Sequence, residues 1–475
     1  MSTDSQLPDT PQRLDASSAL DIPRSASSFA LSFIALLAGL IASALAQQLW
    51  PNDPENALLC GGGAIAVVIA LVDLVFLKSS RRPSSGLAAH TLRPANLGEA
   101  ALRFLGLLVT LATIGLVYWL FPEYHGSFYQ PYWHLLQILA WPMLCLAPLY
   151  FLWTGTRLVK ERDPYLQLGR LLLGRGWDRL DREALRSHWL AWTVKAFFLP
   201  LMVVYAEQRI TSTGGALRAL SWNTWSVYQF FYELSFLIDL LYCVLGYLLT
   251  LRLLDTQVRS TEPTVFGWAV ALVCYQPFYS VIGNFYLKYD EFTIGWDAWL
   301  SGSPVVHALW ATGIIVLTLI YALSTVAFGL RFSNLTHRGI VTSGPYRFTK
   351  HPAYLSKNLS WWLISVPFIS HIGWLDAVRH CVLLAILNFI YFLRARTEER
   401  HLGRDPAYLA YSSWIDEHGM FSKLRFRPRE RDSHSVRHDG VVNQELTLNE
   451  RATKLERRPA TRAAGVVPKK GRRGK

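Results

Sequence analysis

Long apolar runs separated by short polar stretches occupy most of the chain between Ser28 and about residue 393. The first reads SFALSFIALLAGLIASALA (Ser28–Ala46), and others fall near 57–77, 100–120, 133–153, 189–205, 229–251, 264–286, 305–329, 353–370 and 374–393. A run of about 18 residues or more crosses roughly 30 Å of hydrocarbon as a helix. Polar–apolar alternation of the barrel kind is absent, so the spans are expected to be helical. The pattern predicts an all-α, polytopic integral membrane protein with about ten transmembrane helices. The first run ends in Ala44-Leu45-Ala46, similar to a signal-peptidase site. It is longer than the usual h-region of about 7–15 residues and follows a long polar leader, so it is expected to stay as the first helix. The fifth, WLAWTVKAFFLPLMVVY, is the weakest span because Lys195 interrupts it.

The connections alternate in charge. Those after spans 2, 4, 6 and 8 are basic, with Arg82, Arg157, Arg252, Arg331, Arg338 and Lys350 among their residues. Those after spans 1, 3, 7 and 9 hold Asp53, Glu55, Glu123, Asp290, Glu291 and Asp297, with Lys288 as their cation; the connection after span 5 is mixed. By the positive-inside rule both termini and every even-to-odd connection face the cytoplasm, giving N-in and C-in. The expected site of residence is the cytoplasmic (inner) membrane.

Composition adds four things. Charged residues make up 17% of the chain, against about 25% in soluble domains. The five cysteines lie in or beside apolar runs without a C-x-x-C, so they read as small packed hydrophobes. The histidines are scattered and no metal site is expected. From Lys423 to Lys475 there are 16 Lys/Arg against 6 Asp/Glu, a net +10. Beside a membrane such a tail is expected to be disordered and to lie on anionic headgroups rather than bind nucleic acid specifically. The expected organisation is a disordered leader (1–27), transmembrane helices of unassigned role (28–304), a C-terminal transmembrane domain (305–422) and the basic tail (423–475).

Two features of the first eight spans carry possible chemistry. RLLLGRGWDRLDREALRSHWL, after span 4, has leucines and a tryptophan among arginines, as an interfacial helix would; a charged topogenic loop fits equally well. Asp73, Glu233 and Asp239 lie inside spans, where a carboxylate is costly and faces a cavity or a partner. They could line a polar pocket, carry protons in a transporter, or be hydrogen-bonded structural groups.

The densest polar chemistry lies in SNLTHRGIVTSGPYRFTKHPAY, between spans 8 and 9. Gly339, Gly344 and Pro345 form turns, and Pro352 suits the first turn of a helix with His351 at its N-cap. The free N–H groups of that helix, flanked by Arg347 and Lys350, make an anion site. A second cluster, Arg396-Thr397-Glu398-Glu399, follows span 10. Spans 9 and 10 form a hairpin with a short turn, so the two clusters meet on one face of the membrane. Charge alone leaves ligand binding and ordinary exposed ion pairs both open.

GPYRFTKHPAY followed, after a hydrophobic hairpin, by RTEE, a Leu and a Tyr-x-x-Tyr resembles the membrane methyltransferases related to isoprenylcysteine carboxyl methyltransferase and the phospholipid N-methyltransferases. The likeness covers about residues 305–420. It implies S-adenosylmethionine in a cytoplasm-facing pocket and a lipid or prenylated acceptor arriving from the bilayer. On the matching positions it implies that His351 and the helix start at Pro352 hold the methionyl carboxylate. Tyr346 and Tyr354 would line the pocket, Arg347 would support the carboxylate or the loop, and Glu398 and Glu399 would hold the ammonium or ribose. Arg396 would position the acceptor carboxylate or pair with the glutamates, and Arg396 and Glu398 would be the catalytic pair. Carboxyl O-methylation is favoured over phospholipid N-methylation. Ser356 and the GRDPAY after Leu402 depart from the pattern and bear on the cofactor cap. An NADPH-dependent sterol-type reductase and a proton-coupled transporter are the competing classes.

Overall fold

The computed structural model describes residues 22–51, 53–159 and 163–424. The basic tail beyond Leu424 and residues 1–21 of the expected disordered leader lie outside them, but residues 22–27 of that leader are ordered, with Ala26 N–H on Ile340 O and the Thr342 hydroxyl on Pro23 O. The chain up to Met420 forms one compact unit; of the second, residues 421–424 are described and end in a single turn, Ser422–Leu424.

Among the described residues eight helices are long and apolar enough to cross a membrane. They are α1 (Phe29–Leu49), α2 (Pro54–Val75), α3 (Leu97–Leu120), α4 (Gln130–Gly155), α6 (Arg182–Arg218), α7 (Thr224–Leu248), α11 (Pro304–Phe328) and α13 (Trp374–Leu402). Between them lie α5 (Pro164–Leu172), α8 (Val265–Leu272), α9 (Phe278–Phe285), α10 (Trp296–Leu300) and α12 (Pro352–Ser365), and α14 (Pro406–His418) follows α13. The fold is all-α apart from one two-residue antiparallel pair, β1 (Ser260–Thr261) with β2 (Thr336–His337).

Two of the ten expected spans are not continuous long helices. The run at 264–286 is broken into α8 and α9 around Pro277, since a proline ring cannot continue the hydrogen-bond ladder. The run at 353–370 forms only the 14-residue α12, which stops at Val366 in a left-handed conformation (φ 45°). Both still carry the chain from one end of the bundle to the other. At one end Ala26 donates to Ile340 (2.9 Å), Ser84 to Asp255 (2.7 Å), and β1 pairs with β2. At the other His134 meets Glu55 (2.7 Å) and Thr293 bridges Ser370. The charge alternation therefore reproduces which connections share an end.

Packing follows membrane rules. α1 and α2 approach through Gly39 and Gly61; a Cβ on Gly39 would lie 2.9 Å from the Gly61 carbonyl oxygen. The opposite face of α1 turns Ile34, Ile41 and Leu45 outward. The weak fifth span becomes the 37-residue α6, with the Lys195 ammonium 4.5 Å from the Trp192 ring centre. The arginine-rich run after span 4 is not one interfacial helix: α5 ends at Leu172, and α6 starts at Arg182. Of the intramembrane acids, Glu233 pairs with Arg209 at 2.5 Å, while Asp239 accepts from Tyr321 (2.6 Å) and Thr325.

Candidate active site

The connection from α11 to α12 is pinned before it reaches the site. Arg338 is 3% exposed and donates to the Thr256 (2.6 Å), Gly246 (2.7 Å) and Phe332 (2.8 Å) carbonyls. Beside it β2 pairs with β1, bringing the segment before α8 to the same place. Gly339 (φ 116°) and Gly344 (φ 62°) then turn the chain where other residues would be strained. His351 is the N-cap of α12 and Pro352 its first residue, as the motif predicts.

The second side of the site is the last two turns of α13. There His351 Nε2 lies 3.0 Å from Glu399 Oε1, and the Tyr354 hydroxyl donates to Glu398 Oε2 at 2.9 Å. The rings of His351 and Tyr354 stack, 5.5 Å between centres. The two sequence clusters thus meet through paired contacts between α12 and α13.

Between these elements opens a cleft of about 460 Å³, mouth included. Tyr354, Arg394, Thr397 and Glu398 line it from α12 and α13. Asn334 and Thr336 line it from the pinned connection, and Glu262 and Ala271 from the β1–α8 side. Arg394 is buried; its guanidinium sits 5.2 Å from the Tyr354 ring centre and 5.4 Å from that of Tyr275, and donates to Asn334 Oδ1 at 2.5 Å. Among the described residues no carboxylate lies within ion-pair distance of it. Two polar atoms of cleft residues, Thr336 Oγ1 and His401 Nδ1, are buried without a hydrogen-bond partner. Behind the glutamates Tyr408 is in the same condition; burial, with the glutamate charges adding to it, pushes its hydroxyl well above the usual range, so it stays a donor.

The residues named from sequence separate into three positions. Tyr354 and Glu398 line the cleft. His351 and Glu399 stand one contact behind, where they hold the start of α12 against α13, and Pro352 opens α12 with its carbonyl accepting from the Ser356 hydroxyl. Tyr346 does not line the cleft but sits close enough to Tyr354 and Glu398 for their charges to act on its hydroxyl, while Arg347 and Arg396 lie further out. Tyr346 packs its ring 5.2 Å from Phe328 and accepts from the Tyr411 hydroxyl, Arg347 is exposed, and the Arg396 side chain is 65% exposed and bound to Glu399 at 3.0 Å. Sequence reasoning missed Arg394 and Glu262. Arg394, a charge inside an apolar helix, carried a signal of its own. Glu262, 3% exposed, carried none, because only the β1–β2 pairing brings it to the site.

Neither the comparison with curated proteins nor that with solved structures returned a match. Residues 306–404, from the first turn of α11 to just beyond α13, match the model of the isoprenylcysteine carboxyl methyltransferase (ICMT) family, so the segment that builds most of this cleft is related to that family of membrane methyltransferases.

Proposed function

We propose that this chain is an S-adenosylmethionine-dependent methyltransferase acting on a lipid or prenylated acceptor, with a carboxylate oxygen as the favoured methyl acceptor over a phospholipid amine. The observation that carries the reading is the Tyr354–Glu398 pair in a cleft whose other charged groups are Arg394, one turn away on the same helix, and Glu262 on the facing side. The cleft suits a ligand of this kind. Thr336 Oγ1 has no hydrogen-bond partner and His401 Nδ1 only the Glu262 carboxylate at 3.8 Å, so a polar ligand could bond to both.

In this reading Glu398 takes the cationic end or the ribose of the cofactor, and the Tyr354 ring offers a face to the sulfonium. His351 and Glu399 set the position of α12 against α13, and with it the distance between Tyr354 and Glu398. When bound, the cofactor supplies a methyl group on a leaving group that is already activated. The chain's own part is then proximity, alignment and exclusion of water. Arg394 favours a carboxylate acceptor: it is a buried cation held by rings and an amide rather than by an acid, and an anionic acceptor would complete it. A carboxylate needs no general base, whereas an amine must lose a proton first. The arginines at this end of the bundle, against the acids at the other, support a site that faces the cytoplasm.

The test is calorimetric binding of S-adenosylhomocysteine to the full-length protein in detergent, with NADPH as comparator. Saturable binding of the former alone supports the reading. Binding of NADPH alone would transfer the chain to the reductase class, and binding of neither would end the proposal. Methyl transfer to an S-prenylated N-acyl cysteine, read as alkali-labile ester, against transfer to phosphatidylethanolamine then separates the two acceptors.

A further inference from the structure

A second cavity, of about 850 Å³ with its mouth, opens at the same end of the bundle and shares no lining residue with the first. Its walls are the 24–28 segment ahead of α1, the end of α2, and the turn that follows α11. That turn separates the two cavities: Arg331 faces the second, Ser333 and Thr336 the first. The 24–28 segment is fastened over the cavity by Ala26 N–H on Ile340 O, by the Ser27 hydroxyl on Ala327 O (2.5 Å) and by Arg82 on Ala26 O (3.3 Å).

The lining is amphiphilic and its charges are unbalanced. Three guanidiniums face it, from Arg24, Arg82 and Arg331, with a single carboxylate, Asp73. Arg331 is neutralised by the buried Asp255 at 3.0 Å. Asp73 feels the charges of Arg82 and Arg331. Arg24 has no ion pair or hydrogen bond among the described residues and stands exposed. The remaining lining mixes hydroxyls, the serines of the 25–32 stretch and Thr256, with apolar Leu31, Ile69, Leu77 and Phe328, and Leu77 follows the outward-facing Phe76 just beyond α2. A cation-rich polar end beside an acid, joined to an apolar wall that runs out towards lipid, matches one ligand chemistry: a phosphodiester with a nearby ammonium, attached to acyl chains.

We infer that this second cavity binds the headgroup of a zwitterionic phospholipid of the phosphoethanolamine kind, its phosphate at Arg24 and Arg82 and its ammonium at Asp73. The acyl chains leave past Leu31 and Leu77. Arg24 and Arg82 supply charge-assisted hydrogen bonds to phosphate oxygens, and Asp73 distinguishes an ammonium-bearing headgroup from an anionic one. The inference does not depend on methyl transfer in the neighbouring cleft.

The experiment is thermal unfolding of the full-length protein in a non-ionic detergent. The probes are short-chain phosphatidylethanolamine, short-chain phosphatidylglycerol, diacylglycerol and inorganic phosphate. Phosphatidylethanolamine is expected to raise the midpoint most, phosphatidylglycerol less, and diacylglycerol not at all. Arg24→Gln removes one charge-assisted contact and is expected to weaken the phosphatidylethanolamine effect about tenfold in half-maximal concentration. Asp73→Asn is expected to abolish the preference over phosphatidylglycerol while the need for phosphate remains. Binding of S-adenosylhomocysteine stays unchanged in both variants, which separates this site from the cleft. Equal shifts with diacylglycerol, or parental behaviour of both variants, would overturn the inference. A shift by inorganic phosphate as large as the lipid's and lost in Arg24→Gln would assign the cavity to a soluble phosphate and overturn the lipid. Arg82→Gln also loosens the 24–28 segment, so the decision rests on Arg24, whose exposed side chain has no structural role to lose.

Discussion

Replacing Arg338 by methionine is expected to destabilise the protein by several kcal/mol and to open the cleft wall. The guanidinium reaches Thr256, Gly246 and Phe332 carbonyls at 2.6, 2.7 and 2.8 Å, and Leu249 at 3.4 Å. Gly246 lies in the last turn of α7 and Leu249 just beyond it, where carbonyls have no partner inside the helix. Burial, with Arg331 adding repulsion, lowers the pKa of Arg338 to about 9, so it remains charged at neutral pH. A buried carbonyl left bare costs about 1–3 kcal/mol, so three close bonds lost together cost about 3–9 kcal/mol. Removing the guanidinium also removes its own desolvation cost, which favours the lower end. That end is still a large part of the roughly 5–15 kcal/mol that holds a folded domain. Arg338→Lys keeps one charged donor and is expected to recover about a third of the loss. Unfolding by SDS in mixed micelles measures the difference, and S-adenosylhomocysteine titration of the same samples reports the wall that Thr336 and Asn334 form. A methionine variant within about 1 kcal/mol of the parent would refute the reasoning, because surface changes alone produce effects of that size.

Glu398→Gln is expected to weaken S-adenosylhomocysteine binding at least about tenfold, the value of one charge-assisted contact, whereas Arg396→Gln should stay within about threefold because that side chain is largely exposed; equal effects would place the ligand on the outer side of α13. Gly106→Ala puts a Cβ 1.9 Å from the Tyr165 carbonyl oxygen, so α5 must leave α3 at a cost on the order of 1–3 kcal/mol or more, read as faster tryptic cleavage between α4 and α6. Burial lowers the pKa of His337 from 6.5 to about 4; Asp405 opposes the shift, while Arg259 and His401 add to it. The unfolded chain therefore takes up a proton below pH 6.5 that the folded chain refuses until about pH 4. This contribution is complete above pH 6.5 and is lost as the pH falls through that window, by at most about 3 kcal/mol. The parent-minus-His337→Gln difference in unfolding midpoint should shrink over the same interval, and a flat difference would contradict it.

The ends shared by the connections were legible because membrane insertion sorts arginine and lysine, and that sorting is written in composition alone. The interruptions were less so. The 264–286 run carries no charge until Lys288, and its break is announced only by Pro277. The 353–370 run has Lys357, Asn358 and four serines, a polarity that a short helix packed among others tolerates better than one facing lipid. At the site, a charge count cannot distinguish an arginine that orients a chain in the membrane from one that caps a helix. Arg338 and Arg347 read alike in sequence, yet one is buried on four carbonyls and the other is exposed. The same limit led sequence reasoning to Arg396 rather than Arg394: both flank the glutamates, and only the helical phase of α13 turns Arg394 to the cleft.

The stretch just before the family-related segment, from the end of α7 to just beyond α8, contributes to the cleft. Glu262, Gly267 and Ala271 form one of its walls, and each lies outside residues 306–404. Tyr275 supplies one of the rings around Arg394, and Tyr247 of α7 receives hydrogen bonds from both the backbone and the amide of Asn334. Arg338 in turn depends on carbonyls at the end of α7 and on Thr256. A fragment limited to residues 305–422 would keep Tyr354 and Glu398 but lose the partners that hold Asn334, Arg338 and Arg394 in place. The turn from Gly329 to Thr336 is also the partition between the two cavities, so the groups that fix it act on both sides at once. Arg331 lines the second cavity, and its partner Asp255 opens the segment that leads to β1 and Glu262.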